Sequence, residues 1–133
     1  MITIVNAFVA SAGKVLLMPK HELWMFPGGC VEPGESYAQA MQREWQEVFP
    51  QTLLQLEAVL GRVEGRTPQS ERFAEVHVYL ATVEGQLPQS PATFPPTWYN
   101  LWEAFILPLS PLTYTVLSTY NQYVIDTFPR HNL

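Results

Sequence analysis

The stretch from Phe26 to Phe49, FPGGCVEPGESYAQAMQREWQEVF, constrains the fold more than any other part of the chain. It opens on Pro27-Gly28-Gly29, passes through a second turn-rich patch at Glu32-Pro33-Gly34-Glu35, and then changes to helical periodicity. Ser36 followed by Gln39 is a capping-box pattern, and Pro50 disfavours helical geometry at Phe49, so the spacing predicts a helix over about Tyr37 to Phe49. On that helix Tyr37, Ala38, Met41, Trp45, Val48 and Phe49 share one arc and are the expected core face. Arg43, Glu44 and Glu47 occupy the neighbouring arc. Glu44 and Glu47 lie three apart, project from one side of the helix, and can share a hard divalent cation, which prefers several oxygen ligands. Gly28 and Gly29 let the backbone pass close to such a cation. Glu35 stands just ahead of the helix, where the dipole favours a carboxylate.

The rest of the chain reads as strands, turns and one more helix. Thr3 to Ala10 and Lys14 to Met18 are apolar, β-branched runs separated by Ser11-Ala12-Gly13, with Pro19 closing the second. Leu23 to Phe26 is a brief apolar segment feeding the loop. Leu53 to Gly61, continuing toward Glu64, and Arg72 to Val83 are expected strands, with a loop at Gly65 to Ser70. In the second of them Phe73, Val76, Val78, Leu80 and Val83 supply the apolar positions. Gly85 to Pro96 holds four prolines and little charge, which suits an ordered surface loop. Trp98 to Leu101 is expected as the last strand, and Pro111 opens a helix to about Phe128 with Leu112, Val116, Tyr120 and Val124 as its packing stripe.

Composition narrows the function. At 133 residues and 47% hydrophobic, the chain suits one domain over residues 1–133 with a core of its own. A formal net charge of −5 with seven Lys and Arg leaves no basic footprint for a long nucleic acid. A small anionic ligand would therefore need cations to hold it, which points to metal. Cys30 is the lone cysteine, so no internal disulfide forms. Ile2 to Ala12 ends in a cleavage-like Ala10-Ser11-Ala12, but lacks a charged n-region and supplies a natural first strand. No apolar run reaches the ~18 residues of a membrane span. A cytoplasmic protein is expected, with a homodimer left open.

The segment from Phe26 to Phe49 resembles the box of the Nudix family: a Gly, five residues, a Glu, seven residues, Arg-Glu, an apolar residue, any residue, Glu-Glu, any residue and Gly. Gly29, Glu35, Arg43, Glu44, Trp45 and Glu47 fall on it in register, and several fixed offsets rarely coincide by chance. The flanking KVLLMPKHELWMFPGG and WYNLWEAFILPLSP also resemble the family, so the likeness covers most of the chain. It implies an α/β/α sandwich with a mixed central sheet, the box helix on one side and the C-terminal helix on the other. It also implies Mg²⁺ or Mn²⁺ held by Glu44, Glu47 and the carbonyl of Gly28. Gly29, Glu35 and Arg43 would form a structural clip, with Glu35 and Arg43 paired. The implied reaction is hydrolysis of a nucleoside diphosphate linked to another moiety, with Glu44, Glu47 or a carboxylate from another loop as base.

Two departures bear on activity. Val48 stands where the family commonly places a metal-binding glutamate, and Pro50 where it has glycine. A further family glutamate before the tryptophan matching Trp98 is replaced by Pro96 and Thr97. Glu71, Glu75 or Glu84 are candidates to compensate. The alternative is a binding or regulatory module that keeps the pocket with weakened chemistry. Lys20 can neutralise a terminal phosphate or be simply solvated, and Phe26 can stack on a nucleobase or pack under the loop. His77 reads as structural, Cys30 as incidental, and Trp24, Trp98 and Trp102 as core or pocket wall.

Overall fold

Two-residue reversals set the first half of the sheet. The computed structural model describes residues 1–67, 72–87 and 96–128. Strand β1 (Ile2–Ser11) returns as β2 (Lys14–Lys20) through Ala12 and Gly13, both at positive φ, the turn geometry that matches strand twist. β2 returns as β3 (Leu23–Met25) through His21 and Glu22, again both at positive φ. Pro19, expected to close β2, lies inside it opposite Trp24. Lys20 and Leu23 flank the turn as the bonded pair, so the next pair exchanges no ladder bonds and the missing N–H of Pro19 costs nothing there.

Gly28–Cys30, expected as loop, forms a three-residue strand β4 antiparallel to β1. Helix α1 (Tyr37–Val48) follows, with the Ser36–Gln39 capping box closed in both directions. β5 (Leu53–Arg66) and β6 (Phe73–Glu84) are long antiparallel partners with two register shifts, so Gly65 and Arg66 belong to strand rather than loop. Residues 68–71 and 88–95 fall outside the described residues, and with them part of the expected Gly65–Ser70 and Gly85–Pro96 loops.

β7 (Thr97–Asn100) pairs with β2. Leu101, expected to end that strand, instead opens a short helix α2 (Leu101–Ile106), capped reciprocally by Asn100 and Glu103. Helix α3 (Pro111–Ile125) begins at the expected proline, is broken in its helical geometry at Tyr120, and ends three residues short of Phe128.

The sheet order is β3-β2-β1-β6-β5, with β4 added beside β1 and β7 beside β2. β1 and β6 are parallel and the other pairs antiparallel, so the sheet is mixed. Alternation along the strands divides the core. Val5, Ala7, Val9 and Leu16 pack with Ala40, Met41, Trp45 and Phe49 of α1. Phe8, Val15, Leu17, Val76 and Val78 pack with Leu112, Val116, Leu117 and Val124 of α3. A central sheet buried on both faces between these helices is the expected α/β/α sandwich.

The expected core arc of α1 is corrected in part. Met41, Trp45 and Phe49 are buried as anticipated, but Tyr37, Ala38 and Val48 are exposed and Ala40 is buried instead. The first turn lies over a polar row of β6, where Tyr37 stacks on His77 at 4.0 Å. Val48, at 46% exposed, does not widen the core stripe and sits at the edge of the charged arc. Trp102, expected as core or pocket wall, is 73% exposed, whereas Trp24 and Trp98 pack partly against the two cores. Phe73, in the apolar set of β6, is half exposed beneath the Arg66 guanidinium.

Candidate active site

β4 places the loop glycines at an open sheet edge. Ala7 N–H donates to the Pro27 carbonyl at 2.9 Å and Val31 N–H donates to the Thr3 carbonyl at 2.9 Å. In an antiparallel ladder the residues between such bonded positions alternate, so Asn6 and Gly28, and Ile4 and Cys30, are non-hydrogen-bonded pairs. The carbonyls of Gly28 and Cys30 therefore point away from β1, and among the described residues β4 has no strand on its other side. Cys30 demonstrates the direction, because its carbonyl accepts from Arg43 Nη2 at 3.0 Å.

Glu44 lies directly over Gly29. A Cβ added to Gly29 would stand 2.5 and 2.6 Å from the two carboxylate oxygens of Glu44. The glycine is thus a cradle for a carboxylate, which explains its requirement beyond any turn. Glu44 is 21% exposed and Glu47, on the next turn, is 61% exposed.

Arg43 ties these parts together more fully than the clip expected from the pattern. Its Nε and Nη2 donate to the two oxygens of Glu35 at 2.7 and 2.9 Å, a bidentate pair. Its Nη1 meets Glu44 at 3.0 Å and Glu47 at 3.5 Å, with Glu32 at 3.8 Å. Glu35 also accepts from the Glu32 backbone N–H at 2.8 Å. Hydrogen bonds from Arg43, and then from that backbone N–H, hold the Glu35 carboxyl below its ordinary range. The bond to Glu35 in turn pushes the Arg43 guanidinium further up. One cation therefore locks the loop to the helix and also keeps both candidate metal-binding carboxylates from repelling one another. The i,i+4 spacing of Arg43 and Glu47 was a signal for the second role.

None of the remaining candidates among the described residues bonds Arg43, Glu44 or Glu47. Phe26 is 4% exposed and stacks on Phe8 at 5.1 Å, so it packs under the loop and the nucleobase-stacking role is withdrawn. Lys20 is exposed at the end of β2, beside the β2–β3 turn. Glu75 is engaged by His77 Nε2 at 2.9 Å and Arg62 at 2.9 Å, which lower its carboxyl below the ordinary range, His77 first. Glu84 pairs with Leu53 across β5 and accepts from Gln55, at the far end of β6 from Glu75. Neither supplies a third site carboxylate, and Glu71 lies outside the described residues. Among the described residues no group of three His, Cys, Asp or Glu is arranged as a metal cage. The donor set, two carboxylates and an edge carbonyl, suits a hard octahedral cation that takes its other ligands from water and substrate phosphate. No helix among the described residues is long and apolar enough to cross a membrane.

These features, an α/β/α sandwich with a glycine-cradled glutamate on a capped helix, define a class. The family model of the NUDIX domain matches residues 2–120. The chain belongs to the Nudix family. It is 31% identical over 128 residues to a CTP pyrophosphohydrolase of Escherichia coli (strain K12), covering 90% of this chain and 91% of that protein. Its fold resembles the solution structure of the E. coli ORF135 protein, with a TM-score of 0.65 and 28% identity over 89% of this chain and 91% of the other. It also resembles a NUDIX hydrolase from Nitrosomonas europaea, with a TM-score of 0.74 and 20% identity over 98% of this chain and 97% of that one.

Proposed function

We propose that the chain hydrolyses the diphosphate linkage of a nucleoside diphosphate derivative with Mg²⁺ or Mn²⁺, which Glu44, Glu47 and the Gly28 carbonyl hold. The observation that carries this reading is the seat of Glu44 on Gly29 beside the outward carbonyl of Gly28. When bound, the cation neutralises phosphate charge and makes a coordinated water more acidic. The chain's own contribution is placement. Arg43 holds the two carboxylates in one place, Glu35 holds Arg43, and one of the two carboxylates accepts the proton of the water that attacks phosphorus.

The relative's name makes CTP the first substrate to try, within a panel of nucleoside triphosphates and diphosphate-linked nucleotides, with Mg²⁺ or Mn²⁺ and with chelator. Cation-dependent release of phosphate or pyrophosphate from at least one member is the expected result. Turnover undiminished in excess chelator would remove the metal from the reading. The exposed Val48 and the lack, among the described residues, of a third site carboxylate favour a second reading, a nucleotide-binding module with slow chemistry. Nucleotide binding with no turnover across the panel would select it.

A further inference from the structure

Among the described residues four polar side chains are buried: Asn6, Thr52, Ser110 and Thr113. Three of them are explained by the fold. Thr52 accepts from the Trp45 indole at 2.9 Å and donates to the Phe49 carbonyl at 2.9 Å. Ser110 and Thr113 bond each other at 2.7 Å at the start of α3. Asn6 is 7% exposed, and no protein group among the described residues hydrogen-bonds its amide. Neither its oxygen nor its nitrogen is sealed from solvent, however. An amide that is nearly enclosed, unpaired by any protein group among the described residues and still open at its polar end is placed to meet a bound ligand.

Its position supplies one. Val5 and Ala7 face α1, so Asn6 faces the opposite layer, between Ile4 and Phe8 on the same face. It is the direct partner of Gly28 in a non-hydrogen-bonded pair, the closer-spaced kind. Its Oδ1 lies 2.9 Å from where a Gly28 Cβ would stand, so the amide leans over the glycine toward the open edge of β4. The same glycine turns its carbonyl to that edge. A ligand whose phosphates sit at Gly28 and Glu44 would therefore bring its next moiety past Asn6.

We infer that Asn6 reads the nucleoside of the substrate, its amide meeting a paired donor and acceptor on the edge of the base. The inference rests on the nucleotide site proposed above. A neutral amide flanked by Ile4 and Phe8 suits a neutral, flat heterocycle. It does not suit a phosphate, which would call for a cation. An Asn amide presents one donor and one acceptor side by side, the complement of a base edge.

The test measures binding, so that it does not depend on turnover. CMP, UMP, AMP, GMP and ribose 5-phosphate are titrated calorimetrically, with Mg²⁺, into the wild type, Asn6→Leu and Asn6→Asp. The wild type should bind at least one nucleotide about tenfold to a hundredfold more tightly than ribose 5-phosphate, and both variants should lose most of that margin. Asn6→Leu should also melt no lower than wild type, because it breaks no hydrogen bond within the protein, whereas a structural asparagine would be missed. An undiminished margin in both variants, or no margin in the wild type, overturns the inference. If the margin is present and lost on substitution while no nucleotide is hydrolysed, Asn6 keeps its role and only the hydrolase reading fails.

Discussion

Gly29→Ala separates the site from the fold. The backbone of Gly29 is not in the left-handed region, so an alanine is conformationally acceptable there. Its methyl group, however, would stand 2.5 Å from one Glu44 oxygen and 2.6 Å from the other, where ordinary contact begins at 3.4 Å. The carboxylate must retreat by about 0.9 Å, and it can, because it is the far end of a flexible side chain whose partner, Arg43, is flexible too. The thermal midpoint should therefore fall by no more than about 4 °C, the scale of roughly 1 kcal/mol in a domain of this size. Function should not be spared. A displacement near 1 Å of a positioning group costs on the order of a hundredfold in rate. Gly28→Ala is the contrasting control, because its methyl group would collide with the backbone carbonyl of Val5, which cannot move without disturbing β1. Differential scanning fluorimetry, Mn²⁺ titration calorimetry and a pyrophosphate-release assay on both variants measure the three quantities. A folded Gly29→Ala with wild-type metal affinity and turnover would refute the assignment of Glu44 to the metal.

Glu44→Gln and Glu47→Gln should each keep the fold and lose cation-dependent turnover, read in the same assay; wild-type rates in both would move the site off this helix. Val48→Glu adds a carboxylate four residues from Glu44 and should lower the metal-free melting point by about 1–2 °C, from roughly 0.2–0.5 kcal/mol of like-charge repulsion. A divalent ion about 4 Å from the new carboxylate in water-like surroundings gains about 2 kcal/mol, so Mn²⁺ should bind up to about thirtyfold more tightly, and unchanged affinity would place Val48 away from the site. The lowered Glu35 carboxyl contributes stability that is complete above the ordinary glutamate value of 4.5 and is lost as the pH falls through its lowered folded value. The gap in melting temperature between wild type and Glu35→Gln should accordingly close on acidification below pH 4.5, and a gap that stays constant would show that Glu35 is not held charged by Arg43.

The helix and the placing of its two glutamates on one side were legible because each rests on local chemistry: a capping box, a terminating proline, and carboxylates three apart. What was misread depended on neighbours distant in sequence. Tyr37 and Val48 share the apolar arc, yet α1 meets polar His77 at one end and leaves its flank open at the other, so both are exposed. α2 was missed because six residues are too few for periodicity to register, although Asn100 and Glu103 carry a capping box that could have revealed it. Phe26 offered an aromatic ring without showing which side of the loop it occupied, and Phe8 settled that. The hold of Arg43 on Glu44 and Glu47 required knowing that one guanidinium reaches both after satisfying Glu35.

The parallel pairing of β1 with β6 governs when the site can exist during folding. Ile2 pairs with Ala74 and Val9 with Ala81, so every contact in that ladder closes a loop of about seventy residues. Such long-range closures slow folding, since entropy is lost before the contacts compensate. Among the described residues β1 is the one strand that β4 pairs with, and the glycines that receive Glu44 are carried by β4. As the chain emerges from a ribosome, the loop and its helix are complete by residue 49, but the strand that anchors them is left without its inner neighbour until β6 has been made. The chemistry therefore arrives late, with the closing of the sheet, and a nascent chain short of β6 carries the signature residues without a working site.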